Sequence, residues 1–173
     1  MRIVSFAAAA VFLAAAPATA QPRQYTVDEI AADLAYGFCP LFLAGQFPLN
    51  SVQLAERGFG AAITKQPHPR VGEMSLVTAK RADGEIAFGG ASGKACTVVV
   101  SGPKRDAALQ RLKDNMSYMG LAFERVANLT PDVPGLNVET FKAPVEGQFL
   151  HVQLIQAEGP TPMVSAQLFA TDK

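Results

Sequence analysis

The apolar positions of this chain recur first at helical spacing, then at strand spacing, and the change of period divides the sequence into readable parts. Ile30, Leu34 and Phe38, with Ala31 and Ala35 beside them, put an apolar stripe on one helix face. Thr26-Val-Asp-Glu29 before them is a capping-box pattern, and Asp28 and Glu29 complement the positive end of the helix dipole. Pro40 is expected to end or kink this helix. Leu41, Phe42, Leu43 and Phe47 follow too closely to belong to an exposed loop. Asn50 is placed to cap a second, short helix running to Arg57, with Gly58 ending it. The segment 65–72 reads as a loop, since Pro67 and Pro69 favour irregular extended backbone.

From Met74 the period becomes two. Met74 to Lys80 and Glu85 to Gly89 read as a hairpin around Asp83-Gly84. A turn over Gly90 to Lys94 then leads into Ala95 to Ser101, whose continuous apolar, valine-rich character predicts a central strand buried on both faces. Helical spacing returns once, over Pro103 to Met119, where Ala108, Leu112, Met116 and Met119 make the apolar stripe and Gly120 closes it. Four further strands follow: Leu121 to Ala127, Leu136 to Lys142, Gln148 to Gln156 and Met163 to Thr171. In the third of these Leu150, Val152 and Leu154 alternate with His151, Gln153 and Ile155, so one face is apolar and the other mixed. The expected fold is α+β: an antiparallel sheet of about seven strands, with the Pro103 to Met119 helix and an N-terminal helical arm packed on one face.

The first twenty residues stand outside this pattern. Arg2, the apolar run Ile3 to Ala16 and the small residues of Ala18-Thr19-Ala20 have the layout of a signal peptide cleaved after Ala20. The run is short for a membrane span, so the expected product is one domain, 21–173, exported to a periplasm or secreted and not membrane-spanning after cleavage. Fifteen basic residues balance fifteen acidic ones, and losing Arg2 leaves one net negative charge. With no basic cluster in the sequence, nucleic acid is not an expected partner. The two cysteines, Cys39 and Cys96, are expected to pair in an oxidising compartment and staple the arm to the central strand. Such a bridge closes a loop of about 58 residues, worth roughly 4 kcal/mol in the chain-entropy description.

Candidate chemistry is sparse. Gly89-Gly-Ala-Ser-Gly-Lys94 suggests a phosphate loop, but Phe88 stands where its first glycine belongs, Ala95 follows the lysine, and a strand comes next instead of a helix. Ser101-Gly-Pro-Lys104 matches the Ser-x-x-Lys of penicillin-interacting enzymes without the companion Ser-Asp-Asn or Lys-Thr-Gly. Of the two histidines, His68 lies between prolines and His151 sits on a mixed strand face. If the last two strands pair as a hairpin, His151 comes level with Ser165 or Gln167, which permits a Ser–His–acid hydrolase. No metal-ligand cluster or cofactor motif is evident, and Asn128-Leu-Thr130 fits a glycosylation sequon.

The expectation that follows is an exported, non-catalytic binding or interaction protein on a disulfide-stapled scaffold, its partner a protein or small molecule. Its binding residues are placed on the proline-bearing loops, at Pro67, His68, Pro69 and Arg70 and at Pro160 and Pro162. A small hydrolase using His151 with a serine and a carrier of a small apolar ligand beneath the helices are the two alternatives.

Overall fold

The computed structural model describes residues 24–69, 71–129 and 133–172; the expected leader, Arg70 of the proline loop and Thr130 of the sequon lie outside them. The arm comprises α1 (Val27–Asp33), a π-helical turn (Leu34–Phe38), α2 (Cys39–Leu43) and α3 (Val52–Glu56). Strands β1 (Thr64–His68), β2 (Gly72–Arg81), β3 (Gly84–Ala91) and β4 (Ala95–Ser101) follow. Helix α4 (Arg105–Asn115) runs on into a 3-10 turn (Met116–Met119), and β5 (Glu124–Val126), β6 (Leu136–Val145), β7 (Gln148–Ala157) and β8 (Met163–Asp172) complete the order. All eight strands form one antiparallel sheet in the order β1-β2-β3-β4-β8-β7-β6-β5. The fold is α+β as expected, with one strand more than the seven the pattern predicts.

The additional strand is β1, in the segment read as a loop. Proline is excluded from central strands because it cannot donate to a ladder, but an edge strand tolerates it. Pro67 sits on such an edge, paired only with Glu73 of β2. The expected strand Leu121 to Ala127 is correspondingly short, reduced to Glu124–Val126 on the opposite edge.

Other local expectations shift for identifiable reasons. Pro40 does not end the helix. The preceding turn widens to π geometry, which removes the carbonyl that the proline ring would strike, and α2 continues with Pro40 in its own first turn. Ser51 caps α3 in place of Asn50, its Oγ accepting from the Leu54 amide at 3.4 Å. The β2–β3 turn is Ala82-Asp83, and Gly84 already belongs to β3. Gly89 and Gly90, read as the end of a strand and the start of a turn, both lie inside β3. A side chain at Gly90 would place Cβ 2.1 Å from the Ala95 carbonyl oxygen, at φ +145. Helix α4 begins at Arg105 and not at Pro103, after Gly102 turns the chain with φ +93.

The arm and α4 cover one face of the sheet. Their Ile30, Leu34, Phe42, Ala108, Leu112 and Met116 share one buried core with Phe88, Val98, Val100, Val152, Leu154, Val164 and Leu168 of the strands. Cys39 and Cys96 form the expected disulfide inside this core, with Cα atoms 5.5 Å apart and both residues fully buried. Three polar contacts help hold the arm: the Val27 amide donates to Asp83 Oδ2, the Tyr36 hydroxyl to the Leu112 carbonyl, and Arg111 Nε to the buried Asp28. The opposite face carries a polar row in register, Thr97, Gln167, Gln153 and Thr140, along which Gln153 Nε2 donates to Thr140 Oγ1.

Candidate functional site

The two proline loops do not meet. Pro67, His68 and Pro69 belong to the β1–β2 hairpin, where β2 begins at Gly72; Pro160 and Pro162 lie in the β7–β8 turn just before Met163, which is level with Ser101 and Glu85 at the far end of β2. The length of a ten-residue strand, about 30 Å, separates them.

His151 is level with Phe169, not with Ser165 or Gln167, because the β7–β8 turn sets the pairing of Ala157 with Met163. Ser165 pairs with Ile155, four positions along the strand and so about 13 Å away. The His151 ring stacks on Phe169 at 5.1 Å, and Nε2 shares a hydrogen bond with Thr171 Oγ1 at 3.0 Å. Burial, and secondarily the Lys142 charge, hold its pKa below the ordinary histidine value. The His151–Ser165 pair of the hydrolase alternative is therefore not assembled. Ser101 ends β4, while the Lys104 side chain is exposed beyond the strand. Among the described residues no three His, Cys, Asp or Glu side chains converge as metal ligands.

The structure instead forms a groove where the arm meets the first hairpin. It encloses about 660 Å³ and is walled by Phe42, Phe47, Pro48 and Leu49 of the arm, with Ile63, Glu73, Ser75 and Ser92 on the sheet side. Its aromatic wall is held from behind: Phe42 and Phe47 each meet the buried Phe88 edge-on, at centroid distances of 5.8 and 5.9 Å. The volume is open at the end of the arm and does not lie beneath the helices, where the carrier alternative required it.

One side of the groove is an unpaired length of backbone. The last β2–β3 pair is Ser75 with Gly90, and Ala91 ends β3 level with Met74, whereas β2 continues back to Gly72, so 72–73 overhang the end of β3. Backbone groups of alternate strand residues point to opposite sides. The Thr78 carbonyl accepts from the Gly60 amide on the β1 side of the strand. Even-numbered β2 residues thus face β1, and Ser75 and Glu73 face β3. Pro67 agrees with this parity, since it is opposite Glu73 and has no N–H to give. The N–H and C=O of Glu73 therefore point past the end of β3 into the groove, and no strand among the described residues pairs with them. The Glu73 carboxylate lies 2.7 Å from Lys65 Nζ, and its hydrogen bond and charge raise the lysine pKa.

The hairpin tip borders this groove. A shallower hollow lined by Lys65, Gln66, Pro67, His68, Pro69, Gly72 and Glu73 shares Glu73 with it. The sequence reading selected that tip but missed Phe42, Phe47, Ile63 and Ser75. The available signal was the apolar run over Leu41 to Phe47, which is too apolar for a loop that packs against nothing. No known protein family, curated protein or solved structure matches the chain.

Proposed function

We propose that this is an exported, non-catalytic binding protein that holds an extended segment of a partner polypeptide in the groove between the arm and the β1–β2 hairpin. The observation that carries the reading is the outward-facing backbone of Glu73 beside the Phe42 and Phe47 wall. An added strand would take the place vacated by β3, bonding to that backbone, while every second side chain entered the apolar groove. Main-chain bonds supply affinity in such a mode and the side-chain pockets supply selectivity. The reading takes 21–173 as one domain released from its leader. A fully buried disulfide suits an oxidising compartment, a periplasm or the extracellular space.

The test is selection from a random peptide library displayed on phage, with a Ser92→Trp variant as counter-target. Ser92 is an exposed turn residue on the groove wall, and an indole there fills the space at the cost of the 3.4 Å hydrogen bond that its hydroxyl donates to the Phe42 carbonyl. Enriched peptides are expected to carry alternating apolar residues, to shift the Glu73 amide resonance, and to bind the variant at least about tenfold more weakly. Failure to enrich any sequence, or equal binding to both proteins, refutes the assignment.

A further inference from the structure

A second cleft, which shares no lining residue with the groove, lies between α1 and α4. It encloses about 260 Å³ and is lined by Tyr25, Glu29, Ile30, Asp33, Arg57, Arg111 and Asn115. The arrangement follows from helical spacing: Glu29 and Asp33 lie one turn apart on α1, and Arg111 and Asn115 lie one turn apart across α4 and its end. Carboxylates thus face donors across the cleft.

Arg111 and Asp33 are each fixed by a bond that leaves other atoms without a partner among the described residues. Arg111 is pinned by Nε, which donates to Asp28 Oδ2 at 2.8 Å, and Asp28 is buried. Its two terminal nitrogens donate to no described residue, so a planar pair of N–H groups is left uncommitted on an anchored guanidinium. The Asn115 side-chain amide is similarly without a partner among the described residues. On the other wall, Arg57 donates twice to Asp33 Oδ2 and once to the Gln53 carbonyl, and Asp33 Oδ1 has no partner among the described residues. A guanidinium with a free fork recognises a carboxylate in two-point fashion, and a carboxylate oxygen with open lone pairs accepts from an ammonium.

The charge balance selects between ligand classes. Two carboxylates and two guanidinium groups line the cleft, and the Asp28 carboxylate lies behind Arg111. A simple anion would meet Glu29 and Asp33, and a simple cation would meet Arg57 and Arg111. A compact molecule carrying both signs avoids both repulsions. The volume is just under the range of drug-sized pockets, and Ile30 with the Tyr25 ring supplies an apolar wall. We propose that this cleft binds a free α-amino acid, its carboxylate on Arg111 and Asn115, its ammonium on Asp33 Oδ1 and its side chain against Ile30 and Tyr25. The proposal goes beyond the groove and does not depend on it.

L-leucine is the probe, titrated into the intact protein and followed by amide chemical shifts. Its two truncated forms, isoamylamine and 4-methylpentanoate, are the single-charge controls. Saturable binding with a Kd below about 10 mM is expected, with shifts at Tyr25, Ile30 and Asn115 and with both controls at least tenfold weaker. Arg111 also anchors Asp28, so the deciding variant is Asn115→Asp, which leaves that pair intact and sets a negative charge against the ligand carboxylate. It should weaken leucine at least about tenfold. Absence of saturation, equal binding of either control, or unchanged affinity in Asn115→Asp overturns the proposal.

Discussion

Removing the disulfide should loosen the arm before it unfolds the sheet. The bridge joins residues 57 positions apart, and the chain-entropy relation assigns about 4 kcal/mol to a closure of that length. Each cysteine replaced by alanine also removes a fully buried sulfur, a further cost on the order of 1 kcal/mol per site. The Cys39→Ala and Cys96→Ala single variants and the double variant share the loss of the cross-link and differ in lost packing, which separates the two contributions. Because the chain has no tryptophan, urea unfolding is best followed by far-UV circular dichroism. The double variant should lose about 5 to 6 kcal/mol, comparable to the whole stability of a small domain. Its m-value should rise because its unfolded state is no longer tethered. Hydrogen exchange locates the effect. The start of α1 keeps its bond to Asp83 and its ion pair with Arg111, whereas α2 is left with its apolar packing and one 3.4 Å hydrogen bond from Ser92 Oγ to the Phe42 carbonyl. Protection should fall first over α2 and last in β7 and β8, with the π-helical turn between them because the Tyr36 hydroxyl still donates to the Leu112 carbonyl. A loss below about 1 kcal/mol in the double variant, or a uniform loss of protection, would refute this account of the arm.

Two further outcomes follow from the geometry. Gly90→Ala forces Cβ toward the Ala95 carbonyl at a φ that side chains rarely adopt, and should cost about 3 kcal/mol or more, whereas Gly93→Ala, with open space around it, should cost only about 1 kcal/mol. Thermal midpoints in the reverse order would contradict the β3 assignment. Burial, then Lys142, lower the His151 pKa in the folded state, so its contribution is fully present above the unfolded value near 6.5 and is lost as pH falls through the folded pKa. His151→Gln should flatten the decline in urea stability between about pH 7.5 and 5, and an unchanged slope would contradict it.

Much of this architecture is written in the hydrophobic pattern. The arm, α4, the β2–β3–β4 meander, the last three strands and the Cys39–Cys96 pair all follow from periodicity, capping residues and cysteine count. What escaped reading depends on neighbours. Pro67 argues for a loop until β1 is known to be an edge, and Pro40 argues for a helix end until the preceding turn widens. Gly89 and Gly90 resemble a turn because their unusual φ values answer to the close approach of β2 and β4, which no local signal announces. The level of His151 on the sheet was fixed by the length of one turn, and a shift of a few residues replaced Ser165 with Phe169. The groove was the least legible feature. Its walls come from Phe42 to Leu49 and from Ile63 to Ser92, and its free backbone exists only because β2 outlasts β3.

The position of β8 has a consequence for the order of assembly. β1 to β4 form one meander of neighbouring strands and β5 to β8 form another, and the two meet only where β8 lies along β4. Each meander can form from local contacts, but their union joins distant residues such as Val98 and Ala166 and is the slow step expected of non-local pairing. Until β8 arrives, the open edge of β4 is Ala-Cys-Thr-Val-Val-Val-Ser, rich in β-branched residues and without charge or proline. That is the composition of an aggregation-prone strand. The chain thus keeps its most adhesive edge uncovered until β8, made after the other seven strands, is in place, and a nascent form needs that edge shielded for as long as β8 is missing.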